Sequence, residues 1–121
     1  MAKILIVDDD LTMTGLLQAV LMMEGHQPTT VNDSTKAMEV IATIQPDLIT
    51  MDLMMPGMSG FDLCALLQQD PRFANIPILV VSASDDPASK LRAKQIGARD
   101  YLTKPFNVDT LILKIKELTA S

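Results

Sequence analysis

The sequence predicts an α/β fold built on a doubly wound parallel sheet, and three observations carry that prediction. Five short strand-like runs, most of them rich in Ile, Leu, Val or Met, alternate strictly with five longer segments whose apolar residues recur at helical spacing. Near-continuous apolar runs are the mark of strands buried on both faces, as parallel strands are when crossover helices cover the sheet. The residues able to carry chemistry fall where those runs stop, at the carboxyl edge where open α/β sheets collect their ligands.

The first run, Lys3–Val7, ends at Asp8-Asp9-Asp10. Leu16, Leu17, Val20, Leu21 and Met23 then mark a helix over 11–24, closed by Gly25, and one of the three acids is expected to cap it. Residues 29–31 form a shorter strand between Pro28 and Asn32-Asp33. Ala37, Met38, Val40, Ile41 and Ile44 mark the second helix, with Asp33 or Ser34 as its cap and Gln45-Pro46 as its stop. Leu48–Met51 is the central strand and stops at Asp52; Pro56, Gly57 and Gly60 then break the chain. The third helix covers 61–69 with Leu63, Leu66 and Leu67 as its stripe. A loop at 70–75 leads to a β-branched strand, 77–81, running into Ser82. The fourth helix spans 88–96 and Gly97 closes it. Asp100–Thr103 is the last strand, followed by Lys104-Pro105-Phe106. The final helix, 108–118, follows an Asn107 cap, packs Leu111, Ile112 and Ile115 on the sheet and leaves Lys114 and Lys116 wet.

Composition narrows the function classes. A chain of 121 residues fits one domain with one core, and 48% hydrophobic with 21% charged residues is globular rather than disordered. No apolar run approaches the ~20 residues of a membrane span, and the first run is too short for a secretory leader, so no membrane partner is expected. Cys64 is the only cysteine, which rules out an internal disulfide and makes a cytoplasmic setting the default. A net charge of −5 and 3% aromatic residues argue against a nucleic-acid surface. Nine methionines suggest adaptable core packing. His26 has no metal-ligand companion and reads as a surface residue, while Cys64 faces the interior of its helix.

Right-handed crossovers reduce the topologies to a flavodoxin-like (βα)5 sheet in the order 2-1-3-4-5. Its switch point lies between the first and third strands, so Asp8-Asp9 and Asp52 arrive together from distant parts of the chain. Crowded carboxylates repel, and a hard divalent cation with oxygen ligands, Mg²⁺, is the natural remedy. The fourth strand brings the Ser82 hydroxyl to that edge, and the fifth brings Lys104, a point charge suited to a phosphoryl oxygen. Acids, acceptor carboxylate, hydroxyl and lysine make a phosphoryl-transfer site. Each residue alone has an ordinary use, as a cap, a turn or a solvated charge. Their joint position at strand ends is what ordinary use does not explain.

Ile4-Leu5-Ile6-Val7-Asp8-Asp9, the segment 52–60, Val81-Ser82-Ala83 and the segment 97–106 resemble, in order and spacing, the signatures of response-regulator receiver domains of two-component signalling, and the resemblance covers essentially the whole chain. It implies that Asp52 accepts a phosphoryl group from a phosphohistidine on a histidine kinase or phosphotransfer protein. It also implies that Asp9, Asp52 and the backbone carbonyl of Met54 hold Mg²⁺, with Asp8 acting mainly through water. Lys104 would pair with Asp52 and then with the phosphoryl oxygens, and the Lys104-Pro105 bond would be cis. Ser82 and Tyr101 would form the switch, the hydroxyl moving to the phosphoryl group and the aromatic following inward, where the ordinary alternative is a half-buried ring with its hydroxyl in water. The fourth helix, fifth strand and fifth helix would present the face read by a downstream target. Lys90, Asp100 and Lys114 fit the charged dimer pattern of that face, but Arg99 and Thr110 stand where acids are usual, so a monomer or weak dimer is expected. The resemblance implies one receiver domain over 1–121 with no output domain in this chain, promoting its own phosphorylation and dephosphorylation without being a turnover enzyme. It would be a stand-alone regulator of the chemotaxis or phosphorelay kind or a piece of a longer protein.

Three rivals compete. A haloacid-dehalogenase-type phosphatase would carry a second Asp two residues after the first, where this chain has Met54. A flavodoxin-type cofactor binder would want a Gly/Ser/Thr loop where this chain has Asp8-Asp9-Asp10. A degenerate receiver, used only as a phosphorylation-independent interaction module, would lack part of the acid, serine and lysine set, all of which is present here.

Overall fold

Successive apolar residues of each central strand point to opposite faces of one sheet, and both faces are covered. In the computed structural model, which describes residues 1–120, five parallel strands lie in the order β2-β1-β3-β4-β5. They are β1 (Lys3–Val7), β2 (Gln27–Val31), β3 (Leu48–Met51), β4 (Ile78–Ser82) and β5 (Asp100–Thr103). The helices between and after them are α1 (Leu11–Met23), α2 (Ala37–Ile44), α3 (Gly60–Gln69), α4 (Pro87–Gln95) and α5 (Val108–Thr119). The expected fold and strand order are those observed.

On one face Leu5, Val7, Ile49, Met51 and Val80 pack against Ala37 and Ile41 of α2, Leu63, Cys64 and Leu67 of α3 and Ala93 of α4. On the other, Ile4, Ile6, Leu48, Leu79 and Val81 meet Leu17 and Leu21 of α1 and Leu111 and Ile115 of α5. Each Leu or Ile so enclosed contributes about 2 kcal/mol relative to exposure, which makes the two layers the main source of stability. Every residue of β3 and β4 is buried, as the unbroken apolar runs require.

Several boundaries depart from the sequence expectation for identifiable reasons. β2 begins at Gln27 rather than at 29 and includes Pro28, which a sheet edge tolerates because one side of that strand has no ladder to feed. Among the three leading acids, Asp10 is the cap of α1, accepting from Thr12 and Met13 N–H at 3.0 and 3.3 Å. Asp33 caps a single 3₁₀ turn, Ser34–Lys36, that precedes α2. α3 starts one residue early because Ser59 caps it, and α4 does so because Asp86 caps it with Pro87 at its first position. The expected stripe of α1 was too wide: Leu16 and Met23 are exposed, and only Thr14, Leu17 and Leu21 are buried. Leu66 is likewise exposed. Met51 and Met55 serve the core, but Met1, Met22, Met23 and Met54 face outward. Lys114 is not free in solvent; its ammonium lies 2.9 Å from Asp100. His26 is half-buried, with Nδ1 accepting from the Ala2 N–H at 3.2 Å.

The register aligns the carboxyl ends of the strands. Val7 sits opposite Val31 and Met51, and Ser82 sits opposite Thr103. The ladder continues one step beyond the strands, with Asp52 N–H donating to Val7 at 3.1 Å and Lys104 N–H donating to Ser82 at 2.8 Å. Asp8, Asp52, Ser82 and Lys104 therefore share one rim.

Candidate functional site

Asp8 and Asp9 follow β1, and Asp52 follows β3, its neighbour in the sheet. One carboxylate oxygen from each of the three lies within 4.8 Å of the others. Asp8 and Asp52 are buried and Asp9 is exposed, so the cluster has one wet side. Lys104, delivered by β5 from the far side of β4, sets its Nζ 2.8 Å from Asp8 and 3.3 Å from Asp52. The ammonium thus bridges two carboxylates and neutralises part of their charge.

Burial pushes the Asp8 carboxyl above its ordinary range and Asp52 repels its charge, against the pull of the Lys104 and Asp10 hydrogen bonds. Burial also disfavours the Lys104 charge, but the bonds and attraction of Asp8 and Asp52 outweigh it and hold the ammonium above its usual value. Three acids around one lysine remain net negative. All the side-chain donors are carboxylate oxygens, which suits a hard cation such as Mg²⁺ and not a soft metal. The cluster could hold a metal ion on its exposed side.

The supporting contacts come from residues the sequence marked only for other roles or did not mark at all. Asn32 donates to the Asp8 carbonyl at 2.9 Å and to the Thr14 hydroxyl at 3.2 Å, tying the end of β1 to α1. Asp10 N–H donates to Asp8 Oδ1 at 3.0 Å, and Met54 N–H donates to Asp52 Oδ1 at 3.2 Å. Buried Ser34 donates to the Pro56 carbonyl and accepts from Met58 N–H, both at 3.2 Å, so the turn before α2 clamps the loop after Asp52. Gly60 closes that loop: a Cβ there would strike the Asp52 carbonyl oxygen and the Leu53 Cα. Gly60 was marked in the sequence as a chain breaker, but its need for a bare Cα follows from a contact across the loop. Asn32 and Thr14 carried no sequence signal of this role, and Ser34 was marked only as a possible helix cap; what identifies the buried Thr14 and Ser34 is the need of a buried polar group for a hydrogen-bond partner.

Ser82 is fully buried at the end of β4, where its Oγ accepts from Ser84 N–H at 3.4 Å; it makes no hydrogen bond to the acid cluster among the described residues. Tyr101 is half-buried on β5, and its hydroxyl is not left to water: it donates to the Ser84 carbonyl at 2.6 Å. Ser82 and Tyr101 therefore meet through the same short loop. The Lys104–Pro105 bond is cis. Cys64 is sealed in the core, where burial pushes its thiol up to about 12.

The response regulator receiver domain family model matches residues 4–116. The chain belongs to that family. As a receiver domain of two-component response regulators it is a phosphoacceptor signalling switch. The DNA-binding dual master transcriptional regulator RpaA of Synechocystis is 38% identical over 118 residues, covering 98% of this chain and 49% of that protein. The DNA-binding response regulator MtrA of Mycobacterium tuberculosis is 35% identical over 114 residues, covering 94% of this chain and 49% of MtrA. The chain spans about half the length of these curated relatives. Among solved structures, chemotaxis protein CheY4 of Vibrio cholerae superposes with a TM-score of 0.92 at 30% identity, covering 98% of both chains. No helix among the described residues is long and apolar enough to cross a membrane.

Proposed function

We propose that this receiver domain takes a phosphoryl group from a phosphohistidine of a histidine kinase or phosphotransfer protein onto Asp52. A carboxylate oxygen of Asp52 attacks phosphorus, the N–P bond breaks, and the imidazole leaves with its electron pair and takes up a proton. The product is an acyl phosphate on Asp52. Asp9, Asp52 and the Met54 carbonyl would hold Mg²⁺, with Asp8 acting through water. When bound, the ion neutralises charge on the transferring phosphoryl oxygens.

The observation that carries this reading is the Lys104 ammonium bridging Asp8 and Asp52 at 2.8 and 3.3 Å. A cation already seated against the acceptor can follow the charge as it spreads onto the phosphoryl oxygens. The incoming group adds nearly two negative charges and three acceptors. Ser82 Oγ, whose present bond is a long 3.4 Å, then turns to one of those oxygens. That movement alters the 82–84 loop, to which Tyr101 is bonded, and so changes the face of α4, β5 and α5 that a downstream target reads.

Incubation with Mg²⁺ and acetyl phosphate followed by a Phos-tag gel tests the proposal. A single retarded band that disappears in Asp52→Asn is expected. An unshifted wild-type band under several phosphodonors would instead leave a phosphorylation-independent interaction module.

A further inference from the structure

Asp9 is the least supported member of the acid cluster. Asp8 and Asp52 are buried and held by Lys104. Asp9 is exposed, and its carboxylate makes no hydrogen bond or salt bridge among the described residues. One oxygen from each of the three acids nevertheless lies within 4.8 Å of the others, so the backbone must aim Asp9. Asp9 is the middle residue of a three-residue bridge, Asp8–Asp10, between the end of β1 and the start of α1. Asp8 N–H donates to the Val31 carbonyl of β2 at 3.1 Å. Asn32, the next residue, donates to the Asp8 carbonyl at 2.9 Å and, from the same nitrogen, to the Thr14 hydroxyl at 3.2 Å. Thr14 spends its own proton on the Leu11 carbonyl at 3.1 Å, so both partners of Asn32 present lone pairs. Only the NH₂ end of an amide answers two acceptors at once, and the network therefore fixes which way Asn32 faces. Asn32 fastens both ends of the bridge, the strand through Asp8 and the helix through Thr14.

We propose that Asn32 is a positioning residue for the metal site, fixing the Asp8–Asp9 peptide so that the exposed Asp9 carboxylate faces the oxygens of Asp8 and Asp52. The inference rests on the Mg²⁺ reading above and adds the residue that aims its least supported ligand. Outer residues that orient a ligand commonly matter about ten- to a hundredfold for metal affinity. Asn32 is itself exposed, so truncating it opens no cavity in the core. An aiming role and a merely structural one therefore separate by experiment.

Magnesium titration followed by the amide signals of Asp9 and Asp10, alongside melting in magnesium-free buffer, tests the proposal. In Asn32→Ala the titration midpoint should rise about tenfold or more, while the magnesium-free melting temperature stays within a few degrees of the wild type. Acetyl-phosphate labelling of Asp52 should split the same way, slow at limiting magnesium and near the wild-type rate once the ion saturates. Thr14→Val, close in shape but without the hydroxyl, should raise the midpoint in the same direction, and Thr14→Ser should keep it. Equal midpoints in the wild type and Asn32→Ala would overturn the assignment. So would labelling that stays slow in Asn32→Ala at saturating magnesium, or a magnesium-free melting temperature that collapses and marks Asn32 as a fastening of the fold. A wild type whose signals ignore magnesium removes the metal reading and this inference with it. A responsive wild type with an equally responsive variant removes the role of Asn32 alone.

Discussion

At the scale of single residues, Lys104 has the greatest energetic consequence. Its side chain is 14% exposed and that of Asp8 only 3%, so their pair is desolvated and removing the cation leaves buried negative charge unanswered. Breaking such a pair from one side costs about 3 kcal/mol or more. Lys104→Met should therefore lower the urea midpoint in magnesium-free buffer by that equivalent, and should slow acetyl-phosphate labelling of Asp52 as well. An unchanged midpoint would mean that Asp8 and Asp52 find relief elsewhere. Cys64 gives a second expectation. Its thiol ionises near 12 when folded and near 9.0 when unfolded, so the unfolded chain releases a proton first and folding weakens from about pH 9 upward. At pH 8 a thiol reagent should react only as fast as the chain opens, and stoichiometric labelling of native protein within minutes would contradict the burial. The residues around Lys104 also show what a sequence discloses. Lys104, Asp8 and Asp52 stood out because each follows a strand-like run, and strand ends converge by topology. Asn32 and Thr14 did not, and Ser34 did only as a possible helix cap, because a polar residue near a turn has many ordinary uses and their partners lie 18 to 24 residues away.

At the scale of elements, the helices and strands were legible from periodicity, while the connections needed the structure. The stripe of α1 read too wide because Leu16 and Met23 keep helical spacing yet lie outside the arc that meets the sheet. The loop from Asp52 to Gly60 is the connection that matters most. Its shape is fixed at two points, the Ser34 clamp on Pro56 and Met58 and the bare Cα of Gly60 against backbone atoms of Asp52 and Leu53. A Cβ at Gly60 would come within 2.7 Å of the Leu53 Cα, and since backbone cannot swing aside as a side-chain tip does, overpacking there should cost about 3 kcal/mol. Gly60→Ala should show that loss by chemical denaturation and should also disturb the amide signals of 52–54. Ser34→Ala, which strips two hydrogen bonds from a buried position, should cost about 2 kcal/mol. A loss under a few tenths in either variant would show that the loop holds its shape without these contacts.

At the scale of the whole molecule, the doubly wound sheet gathers like charges at one rim and spends core stability to keep them there. Two apolar layers hold the strands in register, and that register, not local attraction, brings Asp8, Asp9 and Asp52 together. The strain falls on the folded state alone, because in the unfolded chain Asp52 is far in sequence from the other two. A ligand that binds only the folded cluster must then stabilise the entire domain by mass action, by about 2.7 kcal/mol at a hundred times its dissociation constant. For a chain of this size each kcal/mol moves the melting temperature by roughly 4 °C, so saturating Mg²⁺ should raise it by about 10 °C. Asp9→Asn, which removes the exposed carboxylate of the cluster, should shrink that rise. Asp10→Asn should leave it intact, because Asp10 caps α1 outside the cluster and Asn caps a helix equally well. Equal responses from the two variants would place the ion elsewhere, and a melting temperature indifferent to millimolar magnesium in the wild type would remove the metal from the mechanism.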